Sequence, residues 1–297
     1  HFGTREQQER FLAPLVAGET RSFFSMTEPE VAGSDPTQLR TRAVEDGGEW
    51  VIDGHKWFSS GAQNAGFGIV FAITDPDAEP HRRGTMILVP ADTPGVETPR
   101  PISVLGHVGR DWTTHCEVRY TGVRVPLANT LGGRGDAFRI AQKRLGPGRI
   151  HHVMRWLGQM QRAFDLMCRY ALEREAFGGP LAEKQTVQNW IADSAVEIEA
   201  CRLLTMDCAR KIDEGSEARV EVSWLKFYAA RVLNEVVDRA IQTHGARGLT
   251  DETPLARMAL HARGGRIYDG PDEVHRMVVA RRILRSFRDG EGWTFGA

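Results

Sequence analysis

The chain has 297 residues, room for one large domain or two ordinary ones, and its 41% apolar content is that of a folded globular protein. Its 38 basic residues almost cancel 39 acidic ones, which removes the electrostatic basis for a general nucleic-acid partner. No apolar run approaches the ~20 residues of a membrane-spanning helix, and the opening residues lack the zones of a signal peptide. Cys116, Cys168, Cys201 and Cys208 show neither paired spacing nor a neighbouring histidine cluster, so neither a disulfide framework nor a metal site is expected.

In chain order, residues 4–15 read as a helix whose partners are missing. From Phe23 to about Arg124 short β-rich runs alternate with turn residues: Trp50-Val51-Ile52, residues 67–73, 86–89 and 116–120. Asp53-Gly54, Asp75-Pro76-Asp77 and Pro94-Gly95 are turn signals of the kind that join antiparallel strands. After Gly135 the period changes. Ile150, Val153, Leu157, Met160, Phe164 and Met167 recur at steps of three and four, an amphipathic helix, and similar patterns cover 186–214, 218–244 and 274–287. The fold class expected is α+β. A small antiparallel β-barrel over 21–132 precedes a C-terminal four-helix bundle over 133–297, with 1–20 the remnant of an N-terminal helical domain that is largely absent.

Gly133-Arg134-Gly135 and Gly146-Pro147-Gly148 begin a dinucleotide-binding pattern but lack its third glycine and its strand-turn-helix setting, so a Rossmann site is not expected. Residues 26–35, MTEPEVAGSD, pack hydroxyls, proline and glycine between a β run and a polar stretch. Residues 54–61, GHKWFSSG, alternate aromatic and hydroxyl side chains along a strand, so that a ring and an OH can face one ligand.

Together these segments resemble the acyl-CoA dehydrogenase family. The helical half adds Tyr170 to Gly178 with Gln185, similar to the family's YALERxxFG…Q element. Residues 242–248, QTHGARG, resemble its QxxGGxG element, and residues 266–276, RIYDGPDEVHR, its catalytic segment. That last run carries Asp269 where glutamate is usual, as in a recognised subgroup. The resemblance implies FAD as cofactor, an acyl-CoA substrate and Asp269 as the base that removes the α proton, while no side chain can take the β hydride. Surrounded by flavin and acyl chain, Asp269 is expected to be desolvated and its pKa raised.

By the same resemblance Thr27 and Ser60 bond the flavin ring, Met26 offers backbone, and Phe58 stands for a flanking tryptophan. Phe24, Gly33, Ser34, Ser59, Pro271 and Glu273 line the flavin. Arg174, with Phe177 and Gln185, suits the pyrophosphate, and Gln242, Gly245 and Ala246 reach the FAD of a neighbouring subunit, implying a homodimer or homotetramer. Ser34, Arg149 and Gly270 touch substrate, and Gly146-Pro147-Gly148 alters its pocket. His151, His152 and Asp272 read as structural or as supports behind the residues that touch ligand. An electron-transfer flavoprotein is the implied acceptor, in the cytoplasm of a bacterium or in a eukaryotic mitochondrion or peroxisome. Alternatives are a flavin nitroalkane oxidase or acyl-CoA oxidase, which pass electrons to oxygen, and a non-catalytic binding module.

Overall fold

The computed structural model describes residues 1–295, apart from the side chain of Pro147, so the pocket role expected of that side chain lies outside the described residues. The chain separates into two compact units, His1–Lys143 and a second beginning at Arg144.

The first unit opens with helical turns α1 (Arg5–Gln7), a π-turn over Gln8–Leu12 and α2 (Ala13–Ala17). Thr4 starts them with a capping box: its hydroxyl takes the Gln7 N–H, and the Gln7 side chain takes the Thr4 N–H, each at 3.2 Å. The Gln7 amide also donates to the carbonyls of Ala128 and Thr130 at 2.7 and 2.8 Å. Phe11 packs on Phe67 with ring centroids 5.0 Å apart, so the opening segment is tied to the sheet.

The strands are β1 (Ser22–Ser25), β2 (Arg42–Asp46), β3 (Glu49–Ser60), β4 (Phe67–Ile73), β5 (Gly84–Pro90), β6 (Val96–Glu97), β7 (Pro101–Ile102), β8 (His115–Pro126) and β9 (Thr130–Leu131). They run in the order β6-β8-β3-β2-β4-β5-β9, with β1 also on β4 and β7 on β8. The sheet is open, which corrects the expected barrel: its terminal strands β6 and β9 are two residues long and pair only with β8 and β5. Nor is it wholly antiparallel, because β4 takes both β1 and β2 as parallel neighbours. Strand patterns reveal alternation but not closure.

β4 and β5 are buried on both faces. Val70, Ala72, Ile87 and Val89 join a core with Trp50, Ile52, Val118 and Val123, while Phe71 and Met86 meet Leu39, Ala137 and Ile140 on the other side. This double burial explains their continuous apolar runs. Asp53-Gly54 is not a turn: it lies inside β3, at a register shift against β8. A Cβ on Gly54 would stand 2.3 Å from the Thr41 hydroxyl oxygen, so this glycine serves close approach. The β2–β3 turn is instead Gly47-Gly48, with φ of 62° and 85°.

The second unit is helical: α3 (Ala137–Glu173, begun in the first unit), α4 (Gln185–Asp213), α5 (Arg219–His244), α6 (Leu255–Gly265) and α7 (Asp272–Arg288). α4, α6 and α7 each pack on α5. Val222, Leu225, Ala229, Leu233, Val236 and Ala240 of α5 share a core with Val153, Trp156, Met160 and Met167 of α3. Leu157 and Phe164, expected on the α3 stripe, are only partly buried beside it. α6 adds one helix to the four that periodicity gave, and within its 11 residues only Leu255, Ala262 and Gly265 are buried, too sparse a stripe to be read from the sequence. Among the described residues no helix is long and apolar enough to cross a membrane.

Candidate active site

The segment from α6 to α7 folds as a tight turn. The N–H groups of Ile267 and Tyr268 both return to the Gly264 carbonyl, after which Asp269 and Gly270 take left-handed φ values of 52° and 101°. Aspartate tolerates this region better than most residues. Gly270 is required on two counts, since its φ disfavours a side chain and a Cβ would stand 2.8 Å from Nε2 of His275. Pro271 then precedes α7, and the buried Asp272 receives Arg266 Nε at 2.7 Å.

Three cationic or imidazole groups hold the carbonyls of this turn. Arg149 Nε donates to Asp269 O at 2.9 Å, His275 Nε2 to the same oxygen at 3.2 Å, and Lys226 Nζ to Gly270 O at 2.6 Å. Burial, with the charges of Arg149 and Lys226, pushes His275 down to about 4, so it is a neutral ring whose Nε2 carries the proton, leaving its buried Nδ1 without a partner among the described residues. Burial pulls Lys226 down to about 8, and it remains a cation at neutral pH.

The Asp269 carboxylate accepts from His152 Nε2 at 2.7 Å, with the two side chains 23% and 22% exposed. Burial acts to raise its pKa, yet the His152 bond, the charge that ring carries when protonated, and the charges of Arg144 and Arg149 outweigh it and hold the carboxyl below its ordinary range. The raised value expected of Asp269 belongs to a carboxyl covered by flavin and acyl chain; the protein's own groups pull the other way.

In the sheet unit, Thr27 and Trp57 bind reciprocally: Trp57 N–H donates to Thr27 O at 3.0 Å, and the Thr27 hydroxyl donates to Trp57 O at 2.7 Å. Lys56, fully buried, donates to Met26 O at 2.7 Å and to Glu28 at 2.9 Å, while the Glu28 carboxylate takes the N–H groups of Arg40 and Thr41. A buried ion pair thus pins the loop to β3. Gly33 lies against Thr27, where a Cβ would meet Thr27 Cγ2 at 3.0 Å, and Ser34 is exposed.

The alternation expected over 54–61 is broken by a bulge after Lys56, where Phe58 has φ 51° and is 44% exposed. Ser59 consequently points inward to Ser25 at 3.2 Å, whereas Ser60 is exposed and bonds His115 Nδ1 at 2.7 Å. Ser60 also lines a shallow cavity with Leu15, Arg21, Ser22, Gly61 and Trp112. Phe24 and Met26 are half-buried in the second sheet core.

The remaining expected residues are exposed except for Pro271, and several stand far from Asp269. Arg174 and Phe177 belong to the small hairpin of β10 (Glu175–Ala176) and β11 (Gly179–Pro180), and Phe177 is fully exposed with φ 51°. Gln185 begins α4, bonded to Asn189 at 2.9 Å. Gln242 lies in the last turn of α5, ahead of Gly245 and Ala246, about 24 Å along the helix from Lys226 at 1.5 Å per residue. Of the rest, Pro271 is half-buried and Glu273 exposed at the start of α7. Lys226, His275, Lys56 and Glu28 were not foreseen; the sequence signal for Lys226 is a lone charge within the apolar run of α5.

Residues 23–123 match the acyl-CoA dehydrogenase middle domain, and 135–284 match the acyl-CoA dehydrogenase C-terminal domain. The chain is 49% identical over 287 residues to the probable acyl-CoA dehydrogenase FadE2 of Mycobacterium tuberculosis, spanning 95% of this chain and 70% of that protein. It is 43% identical over 289 residues to rat acyl-CoA dehydrogenase family member 11, covering 96% of this chain but only 37% of the relative. The solved butyryl-CoA dehydrogenase of Megasphaera elsdenii superposes with a TM-score of 0.86 at 32% identity, over 96% of this chain and 73% of that one. With its sheet unit and its helical unit each matched by the corresponding domain, the chain belongs to the acyl-CoA dehydrogenase family.

Proposed function

We propose that the chain binds FAD and oxidises an acyl-CoA thioester between its α and β carbons, with Asp269 taking the α proton. The observation that carries this reading is the Asp269 carboxylate, ionised and partly exposed, on a turn whose carbonyls are held by Arg149, His275 and Lys226. A base must be deprotonated and fixed before its substrate arrives, and this arrangement meets both conditions.

The residues of the sheet unit fit a flavin ring. The Phe58 ring is exposed although its backbone is strained, the Ser60 hydroxyl lines a cavity, and Thr27 retains acceptor capacity after donating to Trp57. Met26, Thr27, Phe58 and Ser60 would hold the ring, with Phe24, Gly33 and Ser34 nearby in sequence. Ser59, turned inward to Ser25, would act by fixing β3. When bound, FAD supplies the hydride acceptor that the protein's side chains lack. In the helical unit Arg174, Phe177 and Gln185 would take the pyrophosphate end. Gln242, Gly245 and Ala246 would serve a neighbouring copy in a dimer or tetramer, and an electron-transfer flavoprotein would accept the electrons.

Arg149 spends its Nε on the Asp269 carbonyl, so its first role is to orient the base, with Ser34 and Gly270 left to contact the thioester and pantetheine. The test is anaerobic titration of the FAD-loaded protein with straight, branched and hydroxylated acyl-CoAs and with nitroalkanes. Flavin bleaching by an acyl-CoA class supports the reading; bleaching by nitroalkanes alone would overturn it.

A further inference from the structure

His152 and Arg155 lie one turn apart on α3, on the face that Tyr268 covers. Arg155 Nη2 stands 2.6 Å from His152 Nδ1. A guanidinium has only donors, so Nδ1 must present its lone pair, and the single ring proton sits on Nε2. An imidazolium would set one N–H against another across that distance. Nε2, 2.7 Å from Asp269 Oδ2, therefore donates to the carboxylate, and Arg155 fixes the tautomer that makes it do so. Trp156 stacks on the imidazole at 5.9 Å and 21°, and the Tyr268 ring lies 4.8 Å away, so the plane of the ring is held as well.

We propose that His152 is a positioning residue for Asp269: its Nε2–H engages Oδ2, keeps the carboxylate ionised when substrate strips water from it, and leaves Oδ1 as the oxygen that meets the α proton. The inference rests on Asp269 being the base. Burial drives the carboxyl toward its neutral form, and an acyl chain laid over it extends that burial, so an opposing bond is needed to preserve a base. The other charged or titratable groups facing the turn are Arg144 and Arg149 on α3, Arg266 after α6, Lys226 on α5, Asp272, Glu273 and His275 on α7, and Tyr268 within the turn. Among the described residues Arg149, Lys226 and His275 bond to carbonyls of the turn, and His152 bonds to the carboxylate itself.

The experiment compares wild type, His152→Ala and His152→Gln in the FAD-loaded protein, with circular dichroism as the check on folding. The Gln amide returns a donor near the place of Nε2. Carbon-13 NMR of protein labelled at the aspartate carboxyls, with Asp269→Asn to assign the signal, reads the Asp269 titration without any substrate. We expect that titration to move to higher pH in His152→Ala and to return most of the way in His152→Gln. In the reductive half-reaction the acid limb should move the same way. At pH 6 His152→Ala should reach about a tenth of its own alkaline plateau, the loss that goes with one pH unit on the acid limb. An Asp269 titration unchanged in folded His152→Ala would overturn the proposal. If wild-type flavin is reduced by no acyl-CoA, the functional reading falls, while the carboxyl titration still decides the role of His152.

Discussion

Nζ of Lys226 lies 2.6 Å from the carbonyl oxygen of Gly270, donated from a side chain with no solvent exposure. Replacing it with methionine keeps the volume but leaves that carbonyl unpaired, at a cost of about 1–3 kcal/mol. The pH dependence has a definite sign. The Lys226 pKa is lowered from 10.5 to about 8 on folding, so between those values the unfolded chain binds more protons and stability from this group rises with pH. Below about 8 that contribution is lost. Denaturant titrations at pH 7.5 and 10 should show a smaller rise in stability for Lys226→Met than for wild type, and equal slopes would contradict the assignment.

Glu28 and Lys56 form the corresponding pair in the sheet unit, 2% and 0% exposed and 2.9 Å apart. Removing one partner strands a buried charge. Lys56→Met should therefore destabilise by about 3–5 kcal/mol, and Lys56→Met combined with Glu28→Gln by less than the sum of the single changes. Chemical denaturation of the four proteins tests this, with simple additivity as the contrary result.

Gly54→Ala should destabilise by about 1–3 kcal/mol through overpacking against Thr41, although alanine is no poorer in a strand by its backbone preference. Adding Thr41→Gly should recover part of the loss, because the clash involves the threonine Cβ as well as its hydroxyl. A Gly54→Ala protein as stable as wild type would show that β2 and β3 yield more easily than this packing implies.

Legibility in the sequence followed the physical range of each signal. The strands at 67–73 and 86–89 and the helices beginning near 186, 218 and 274 were readable because their apolar periods are local. Sheet closure, the parallel places of β1 and β2 beside β4, and the role of Gly54 depend on partners distant in the chain, so the pattern suggested a barrel and a turn instead. Asp269 is legible as a candidate base through its motif. His152 reads only as structural or supporting, because its partner lies 117 positions away. The lowering of the Asp269 pKa is hidden for the same reason, since burial can be guessed from an apolar setting but a single hydrogen bond cannot.

Phe177 combines complete exposure with a left-handed backbone, φ 51°, at the tip of the β10–β11 hairpin. Phe177→Gly should relieve the strain and leave thermal stability unchanged or raised by up to about 1 kcal/mol, while loosening FAD retention. Melting temperature and flavin content after gel filtration measure the two effects. A marked fall in stability with FAD fully retained would show that the ring serves the fold.

Whether Asp269 is the base is decided by rapid-mixing measurement of flavin reduction. Wild type and Asp269→Asn, both loaded with FAD, would be mixed anaerobically with an acyl-CoA that bleaches the wild type. Asparagine fills the same space but cannot take a proton, so FAD should be retained, acyl-CoA binding nearly unchanged and reduction slower by at least about a hundredfold. Reduction of Asp269→Asn at close to the wild-type rate would contradict that role.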